Sequence, residues 1–346
     1  HLSSVQRRLG GTPPMNPYRK LISNTVLFGV STFGSKFLSF LLTPFYTRIL
    51  SSAEYGVTDL LIQTGNLIIP LASIGIANGV IRFGLERNSD KSSVFTTGLL
   101  TMLGGFLALL AFSPLLGEIE FLSGYLWLLL LYVLMANLHA LCNQFARAMG
   151  HVQLFALDGV LCTLLVIGFD ILFLAVFRIG ITGYVLANVL ADGIAALFVF
   201  LHAKQWRYVR LSALSKADAS RMLRYSAPLV PSNLCSWVIN ISDRYLIALL
   251  AGSAANGIYA IGNKVPNILI TISGLFSSAW QISALAEQPK AEKERFFSNV
   301  FSVYSSIAFV AASGVILTAQ ISTRLLAAPE YYGAWRYVPV LTLATT

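Results

Sequence analysis

The chain reads as an all-α, polytopic membrane protein built on an internal repeat, and three observations carry that reading. Hydrophobic residues make up 56% of the chain and charged residues only 11%, with a mean hydropathy of +0.70; a soluble domain carries about 25% charged residues. Long stretches hold no Asp, Glu, Lys or Arg: between Lys91 and Glu118, between Glu120 and Arg147, and between Arg295 and Arg324. Each exceeds the roughly 20 apolar residues that a spanning helix needs, and none shows the period of two that barrel strands require. Finally, the chain matches itself at an offset of 201 residues.

Nine complete spans and part of a tenth follow in order. The first, 21–46, carries Thr32, Lys36, Ser39 and Thr43 at spacings of three and four, a single polar stripe on one helix face. The second, 57–81, repeats such a stripe with Asp59, Gln63, Asn66 and Pro70. Spans three and four, 94–116 and 121–146, are charge-free, with His139 alone in the fourth. The fifth, 152–177, has Asp158 near its start and Asp170 deep inside; the sixth, 181–203, has Asn188 one turn before Asp192. A connector from Lys204 to Tyr225 carries Lys204, Arg207, Arg210, Lys216, Arg221 and Arg224 against Asp218, at amphipathic helical spacing. The seventh span, 226–250, carries Asn233, Trp237, Asn240 and Arg244. The eighth, 256–284, carries Tyr259, Asn263 and Asn267, with Lys264 beside them and Pro266 available as a break. The ninth, 297–322, is charge-free, and the tenth starts near 334 and contains Thr346. Residues 1–14 lack apolar periodicity and are read as a non-native leader before Met15, and the chain as a fragment. The units are thus a bundle over 15–203, the basic connector over 204–225 and an incomplete second bundle over 226–346.

Counting Lys and Arg on alternate sides gives the orientation. One side holds the residues before span one, Arg82, Arg87, Lys91, Arg147, the connector, Lys290, Lys293 and Arg295. The other holds only Arg48, Arg178, Arg324 and Arg336, with Glu118 and Glu120. The first side, and with it the N-terminus, is expected to be cytoplasmic. That bias also accounts for the net charge of +9 without a nucleic-acid partner. In the repeat, Ser52-Ala53 falls on Ser253-Ala254, Gly56 on Gly257, Val57 on Ile258, Asn66 on Asn267 and Ile69 on Ile270. Spans one and two correspond to seven and eight, an even displacement, so the halves form a parallel repeat about an axis along the membrane normal.

Lys36, Arg244 and Lys264 sit inside spans, where a charge costs about 2.5–3.5 kcal/mol even on the lenient insertion scale. Such cations face a bundle interior or a water-filled cavity and suit an anionic cargo. Asn66, Asn240, Asn267, Gln63 and Trp237 are the amide and aromatic candidates for lining the same interface between the halves. The bland alternative is that polar residues only join helices, at about 0.6 kcal/mol each, and that ion pairs hide the cations. Asp243 cannot share a helix face with Arg244, but Asp59 could pair with it. Asp59, Asp170 and Asp192 are candidates for coupling to H+ or Na+, although a solvated or capping role fits Asp158 and Asp192 equally. Cys142, Cys162 and Cys235 read as small core residues without metal-ligand spacing, and the lone His139 gives no metal site. No GxxxxGK[ST] loop and no large extramembrane loop are present, so neither a cofactor nor catalytic residues are expected.

Pro44-Phe45-Tyr46-Thr47-Arg48-Ile49-Leu50 followed by Glu54-Tyr55-Gly56 resembles the first-loop signature of bacterial polysaccharide (O-antigen-type oligosaccharide) flippases. These belong to the multidrug/oligosaccharidyl-lipid/polysaccharide exporter superfamily. Ser242-Asp243-Arg244-Tyr245, Gly252, Gly257-Ile258-Tyr259, Lys264 and Ala279-Trp280 resemble the matching signature of helices seven and eight, and Gly180-Ile181-Thr182-Gly183-Tyr184 is similar to the turn between helices five and six. The resemblance covers nearly everything from Met15 onward. It implies two six-helix bundles around a central cavity, with two further helices after them. It also implies movement of an undecaprenyl-pyrophosphate-linked oligosaccharide across the bacterial cytoplasmic membrane, with lipids and other polysaccharide-assembly proteins as partners. The rival readings are a multidrug or cation antiporter, expected to favour acidic cavity residues, and a peptidoglycan-precursor flippase with nearly the same physical needs. A membrane polysaccharide polymerase would call for a large outward loop with catalytic Arg or His.

Overall fold

The computed structural model describes residues 40–274 and 290–346, with side chains from residue 297 in the second stretch. Among them the regular structure is entirely helical. Lys36, Thr32, Ser39, the leader and Ala279-Trp280 lie outside the described residues.

Helix α1, Thr43–Ile49, closes the first span, and α2, Ser52–Ala72, opens the second. The start of α2 falls five residues before the expected 57, and a local cap explains it. The Ser51 hydroxyl accepts from the Glu54 amide at 3.3 Å while Glu54 Oε2 accepts from the Ser51 amide at 2.9 Å. This capping box satisfies the free amides of the first turn with polar residues that a hydropathy reading assigns to a loop. After Pro70 the chain breaks at Ile74 and Gly75, with φ of 52° and 60°, and α3, Ile76–Gly84, leaves at 56° to α2. Span two is therefore a broken helix.

Asp90 caps α4, Lys91–Gly117, by accepting from the Ser92 amide at 2.9 Å. Helices α5, Leu126–Ala148, α6, Val152–Asp170, and α7, Gly180–His202, follow the expected spans within a few residues. The last turns of the fifth span, Ile171–Val176, widen into π geometry directly after Asp170. Helix α5 is the hub of this bundle, packing against α2, α3, α4, α6 and α7. Its Leu128, Leu129 and Val133 meet Leu61 and Ile68 of α2 and Val185 and Val189 of α7, while Leu141 and Phe145 meet Ile76, Val80 and Phe95.

The basic connector differs from the expected amphipathic helix: only α8, Lys216–Ser226, is α-helical, after two short 3-10 turns. It docks on the first bundle. Met222 enters the α3–α5 core, Ser93 donates to Asp218 at 2.9 Å, and Arg221 reaches Glu86 at 3.3 Å. Helix α9, Leu229–Ala251, continues almost directly from α8. Helix α10, Ser253–Lys264, ends at Val265, and helix resumes over 266–274, so the break falls at Pro266 as expected. The ninth span is divided at Thr318 into α11, Lys290–Leu317, and α12, Ala319–Leu326. A 3-10 segment, Pro329–Arg336, then leads into α13, Val338–Thr345. Among the described residues six helices are long and apolar enough to cross a membrane, or seven if α2 and α3 count as one broken span. The protein is a multi-pass membrane protein.

The two halves meet where α2 crosses α10. A Cβ added at Gly56 would fall 1.8 Å from the Ser253 carbonyl oxygen, and one added at Gly257 would fall 2.0 Å from that of Ser52. Both backbones touch without side chains between them. The two contacts exchange under the offset of 201 that relates Ser52 to Ser253 and Gly56 to Gly257. Nearby, Glu330 accepts from the Ser52 amide at 2.7 Å, and the fully buried Tyr331 donates its hydroxyl hydrogen to the Leu50 carbonyl at 2.8 Å. The 3-10 segment thereby clamps the α1–α2 loop.

Candidate functional site

Between α2 and α9 lies a cleft of about 440 Å³, walled by Asn66, Leu67 and Pro70 on one side and Asn233, Leu234, Ser236, Trp237 and Asn240 on the other. The spacing of three and four along each helix puts these residues on facing surfaces. Trp237 Nε1 donates to the Gln63 carbonyl at 3.0 Å, Asn66 donates to Gln63 Oε1 at 3.4 Å, and Tyr132 of α5 donates to Asn66 Oδ1 at 3.2 Å. Asn240 turns its amide back to the Ser236 carbonyl at 2.6 Å. Five residues named from sequence, Gln63, Asn66, Asn233, Trp237 and Asn240, are thus brought together, with Ser236 and Tyr132 added. None of the lining side chains is ionisable.

One turn further along both helices the cleft ends in a buried ion pair. Arg244, 7% exposed, donates through Nη1 to Asp59 Oδ1. Asn256 donates to the Gly56 carbonyl at 3.0 Å and reaches Asp59 Oδ2 at 3.5 Å. The Tyr245 ring lies 5.3 Å from that of Trp237, tilted by 55°, and its hydroxyl shares a 2.7 Å hydrogen bond with Thr64. Asp243 turns away: its oxygens accept from the Arg244 amide at 2.9 Å and from the Tyr259 hydroxyl. Arg244 and Asp59, named from sequence as a binding cation and a coupling acid, are thus paired with each other across the two halves, the ion-pair alternative that the sequence left open.

The remaining named residues are dispersed. Lys264 is half-buried at the end of α10 and makes no ion pair among the described residues, and Asn267 is exposed beyond the break; neither lines the cleft. Asp170 is fully buried, accepting from Tyr46 Oη at 2.5 Å, with its Oδ1 unpartnered. Asn188 bonds to the Tyr184 carbonyl at 2.9 Å rather than to Asp192. His139 is not alone: its ring lies between Asp158 and Asp192 at 2.8 Å from each. Asp158 is accordingly fully buried and not a cap, and Cys235 is exposed rather than in the core. The sequence signal for the His139 cluster was the four-residue spacing of His139–Asn143 and Asp158–Cys162 on successive spans, with Asp192 on the next.

A family model described as polysaccharide biosynthesis protein matches residues 21–285. The chain belongs to that family. Its fold is similar to that of a multidrug resistance MATE family transporter of the MOP superfamily in an inward-facing conformation: the TM-score is 0.71 at 18% identity, covering 90% of this chain and 78% of that one. The same transporter type in an outward-facing conformation gives a TM-score of 0.61 at 18% identity, covering 96% and 80%. A MATE protein in a straight conformation gives 0.61 at 18% identity, covering 94% and 79%. A comparison with curated protein sequences returns no match. This polysaccharide biosynthesis family member therefore has a helical-bundle fold similar to that of transporters of the MOP superfamily.

Proposed function

We propose that the protein flips an undecaprenyl-pyrophosphate-linked oligosaccharide from the cytoplasmic to the outer leaflet of the bacterial cytoplasmic membrane, by alternating access, during surface polysaccharide biosynthesis. The observation that carries this reading is the lining of the cleft: amides, a hydroxyl and an indole, with no ionised side chain. Sugars present hydroxyls that both donate and accept, which amides match, and apolar ring faces that stack on an indole. The Asp59–Arg244 pair and the glycine crossing close the halves at the end nearer the α1–α2 loop, so the cleft lies toward the side that carries the basic connector. Lys264, and Lys36 on the sequence stripe, are the cations left to attract a pyrophosphate. The polyprenyl tail stays in lipid while the head crosses. H+ or Na+ would drive the cycle, with buried Asp170 as a coupling acid; other polysaccharide-assembly proteins are the expected partners, and the N-terminus lies in the cytoplasm.

The structural neighbours are multidrug transporters, so drug export is the competing reading. A cationic drug needs an unpaired carboxylate, and none lines this cleft. The test expresses the complete gene in cells lacking their own oligosaccharide flippase and measures lipid-linked sugar at the outer leaflet. Restored export that Trp237→Ala and Asn240→Ala abolish at unchanged protein level supports the proposal. Export indifferent to both changes, or drug resistance without sugar export, rejects it.

A further inference from the structure

The first bundle holds a second polar cluster that the cleft does not use, where α5, α6 and α7 meet. His139 Nε2 lies 2.8 Å from Asp158 Oδ2, and Nδ1 lies 2.8 Å from Asp192 Oδ1. Asn143 donates to the same Asp158 oxygen at 2.7 Å, and Cys162 Sγ stands 3.7 Å from Asp192 Oδ1. A His139 ring nitrogen, Cys162 Sγ and an Asp192 oxygen all lie within 4.8 Å of one another, and Nδ1 is the ring nitrogen that faces Asp192. An ion with bonds of about 2.0–2.3 Å reaches three such atoms with small side-chain adjustments. The charge balance points the same way. Two carboxylates face one imidazole inside an apolar bundle, and among the described residues no Lys or Arg pairs with either. Asp158 is fully buried, with Oδ1 lacking any donor, which leaves its negative charge under-compensated.

We propose that His139, Cys162 and Asp192 form a site for one divalent transition-metal ion of the zinc type, with Asp158 orienting the imidazole from behind. The mixture of nitrogen, sulfur and oxygen donors suits zinc-like ions and not Na+, Mg2+ or Ca2+, which take oxygen ligands. Asp158 holding Nε2–H while Nδ1 faces the ion is the carboxylate–histidine–metal arrangement that fixes the ring and raises its basicity. The protons balance. Each 2.8 Å line from the ring to a carboxylate needs one hydrogen. On binding, the hydrogen between Nδ1 and Asp192 and the Cys162 thiol hydrogen leave to water, while Nε2–H stays. One dication replaces two protons, so the net charge of the bundle is unchanged, and the penalty of burying extra charge does not oppose binding. The His139 and Asp192 side chains keep 15% and 18% exposure. A bound ion would staple α5, α6 and α7 together. Tyr132 lies two turns before His139 on α5 and bonds to Asn66 of the cleft, so the staple steadies the helix behind the cleft wall. The site is independent of what the protein carries.

The test uses the full chain, purified in detergent and stripped with chelator, with Co2+ alone as the probe. One equivalent should bind, giving a near-ultraviolet thiolate-to-cobalt charge-transfer band and the visible bands of a low-coordinate ion, and Zn2+ should erase both. Cys162→Ser should remove the charge-transfer band. Asp158→Asn should keep it but raise the dissociation constant about 10–100-fold, the effect of losing an outer-shell partner. Both changes are nearly isosteric, so they carry the test even where His139→Gln fails to accumulate. Absence of a thiolate band in the unaltered protein overturns the proposal, as does a band that survives Cys162→Ser, since Cys142 or Cys235 would then be the ligand.

Discussion

Adding one methyl group at the α2–α10 crossing should pry the two halves apart. In Gly257→Ala the new Cβ would stand 2.0 Å from the Ser52 carbonyl oxygen. Carbon–oxygen contacts settle at about 3.3–3.6 Å, so the backbones must separate by about 1.3–1.6 Å there. The Asn256–Gly56 hydrogen bond, 3.0 Å long across the same crossing, would be stretched beyond any useful length. Overpacking costs about 1–3 kcal/mol, and the lost hydrogen bond adds about 0.5–1.5 kcal/mol, giving about 1.5–4.5 kcal/mol in all. Gly56→Ala makes the mirror-image clash, 1.8 Å from the Ser253 oxygen. Because either methyl forces the same separation, the second one enters space already opened. The double variant should therefore cost less than the sum of the singles, by a coupling of about 0.5–3 kcal/mol. Unfolding of the purified protein by heat or SDS in detergent, followed by tryptophan fluorescence, measures all three variants. Gly104→Ala, whose Cβ meets nothing within 4 Å, is the control. Singles within about 0.5 kcal/mol of the parent, or a strictly additive double, would refute the close crossing.

Arg244→Ala should cost about 3–5 kcal/mol by stranding the buried Asp59 charge, while Arg244→Leu combined with Asp59→Leu should recover most of it; an equal loss in single and double variants contradicts the pairing. Tyr46→Phe should destabilise by about 1–3 kcal/mol, since it leaves both oxygens of buried Asp170 without a donor. That loss should shrink when Asp170→Asn is already present, measured by the same unfolding assay. Glu330, outside the spanning helices, is held below the usual carboxylate range by hydrogen bonds from Ser52. A depressed folded value means that this clamp contributes stability above the unfolded value and loses it as pH falls through the folded one. Protease sensitivity of the 329–336 segment should therefore rise on acidification, and Glu330→Gln should be sensitive at all pH values; a clamp indifferent to both contradicts the assignment.

Much of this was readable beforehand because the membrane imposes it. Charge-free runs in α4 and α5 are long enough to span, and helical periodicity gathers each amide stripe of α2 and α9 on one face of its helix. The offset of 201 was visible for a steric reason: backbone contact tolerates only Gly at 56 and 257, so both copies keep it. What was hidden is what requires a partner on another span. Nothing local to Arg244 tells whether its charge is open or answered; Asp59, 185 residues away, decides it. The His139 cluster draws its residues from three helices, His139 and Asn143 from α5, Asp158 and Cys162 from α6 and Asp192 from α7, and no one helix shows what the others bring. Caps misled for the opposite reason, being too local: Ser51 and Glu54 look like loop residues but start a helix.

On the proposed function, the ion pair also bears on what the cleft would select. With Asp59 and Arg244 paired, no unpaired charge is added to a lining of amides, a hydroxyl and an indole, so discrimination would rest on hydrogen-bond geometry and shape. Under the proposed alternating access, the glycine crossing is narrow enough to act as a pivot, but the ion pair beside it must stretch when the halves open at the α1–α2 end. Separating the two charges in a dry crossing is prohibitive. Separation becomes affordable only when water, or an anionic head group accepting from Arg244, takes the place of Asp59. Opening would then be tied to occupancy. Lengthening the pair with Asp59→Glu should loosen that tie and raise leak without cargo, measurable as accessibility of a cysteine at position 256 to a membrane-impermeant thiol reagent in the absence of lipid-linked sugar. Unchanged accessibility would show that the pair holds the fold together and does not gate it.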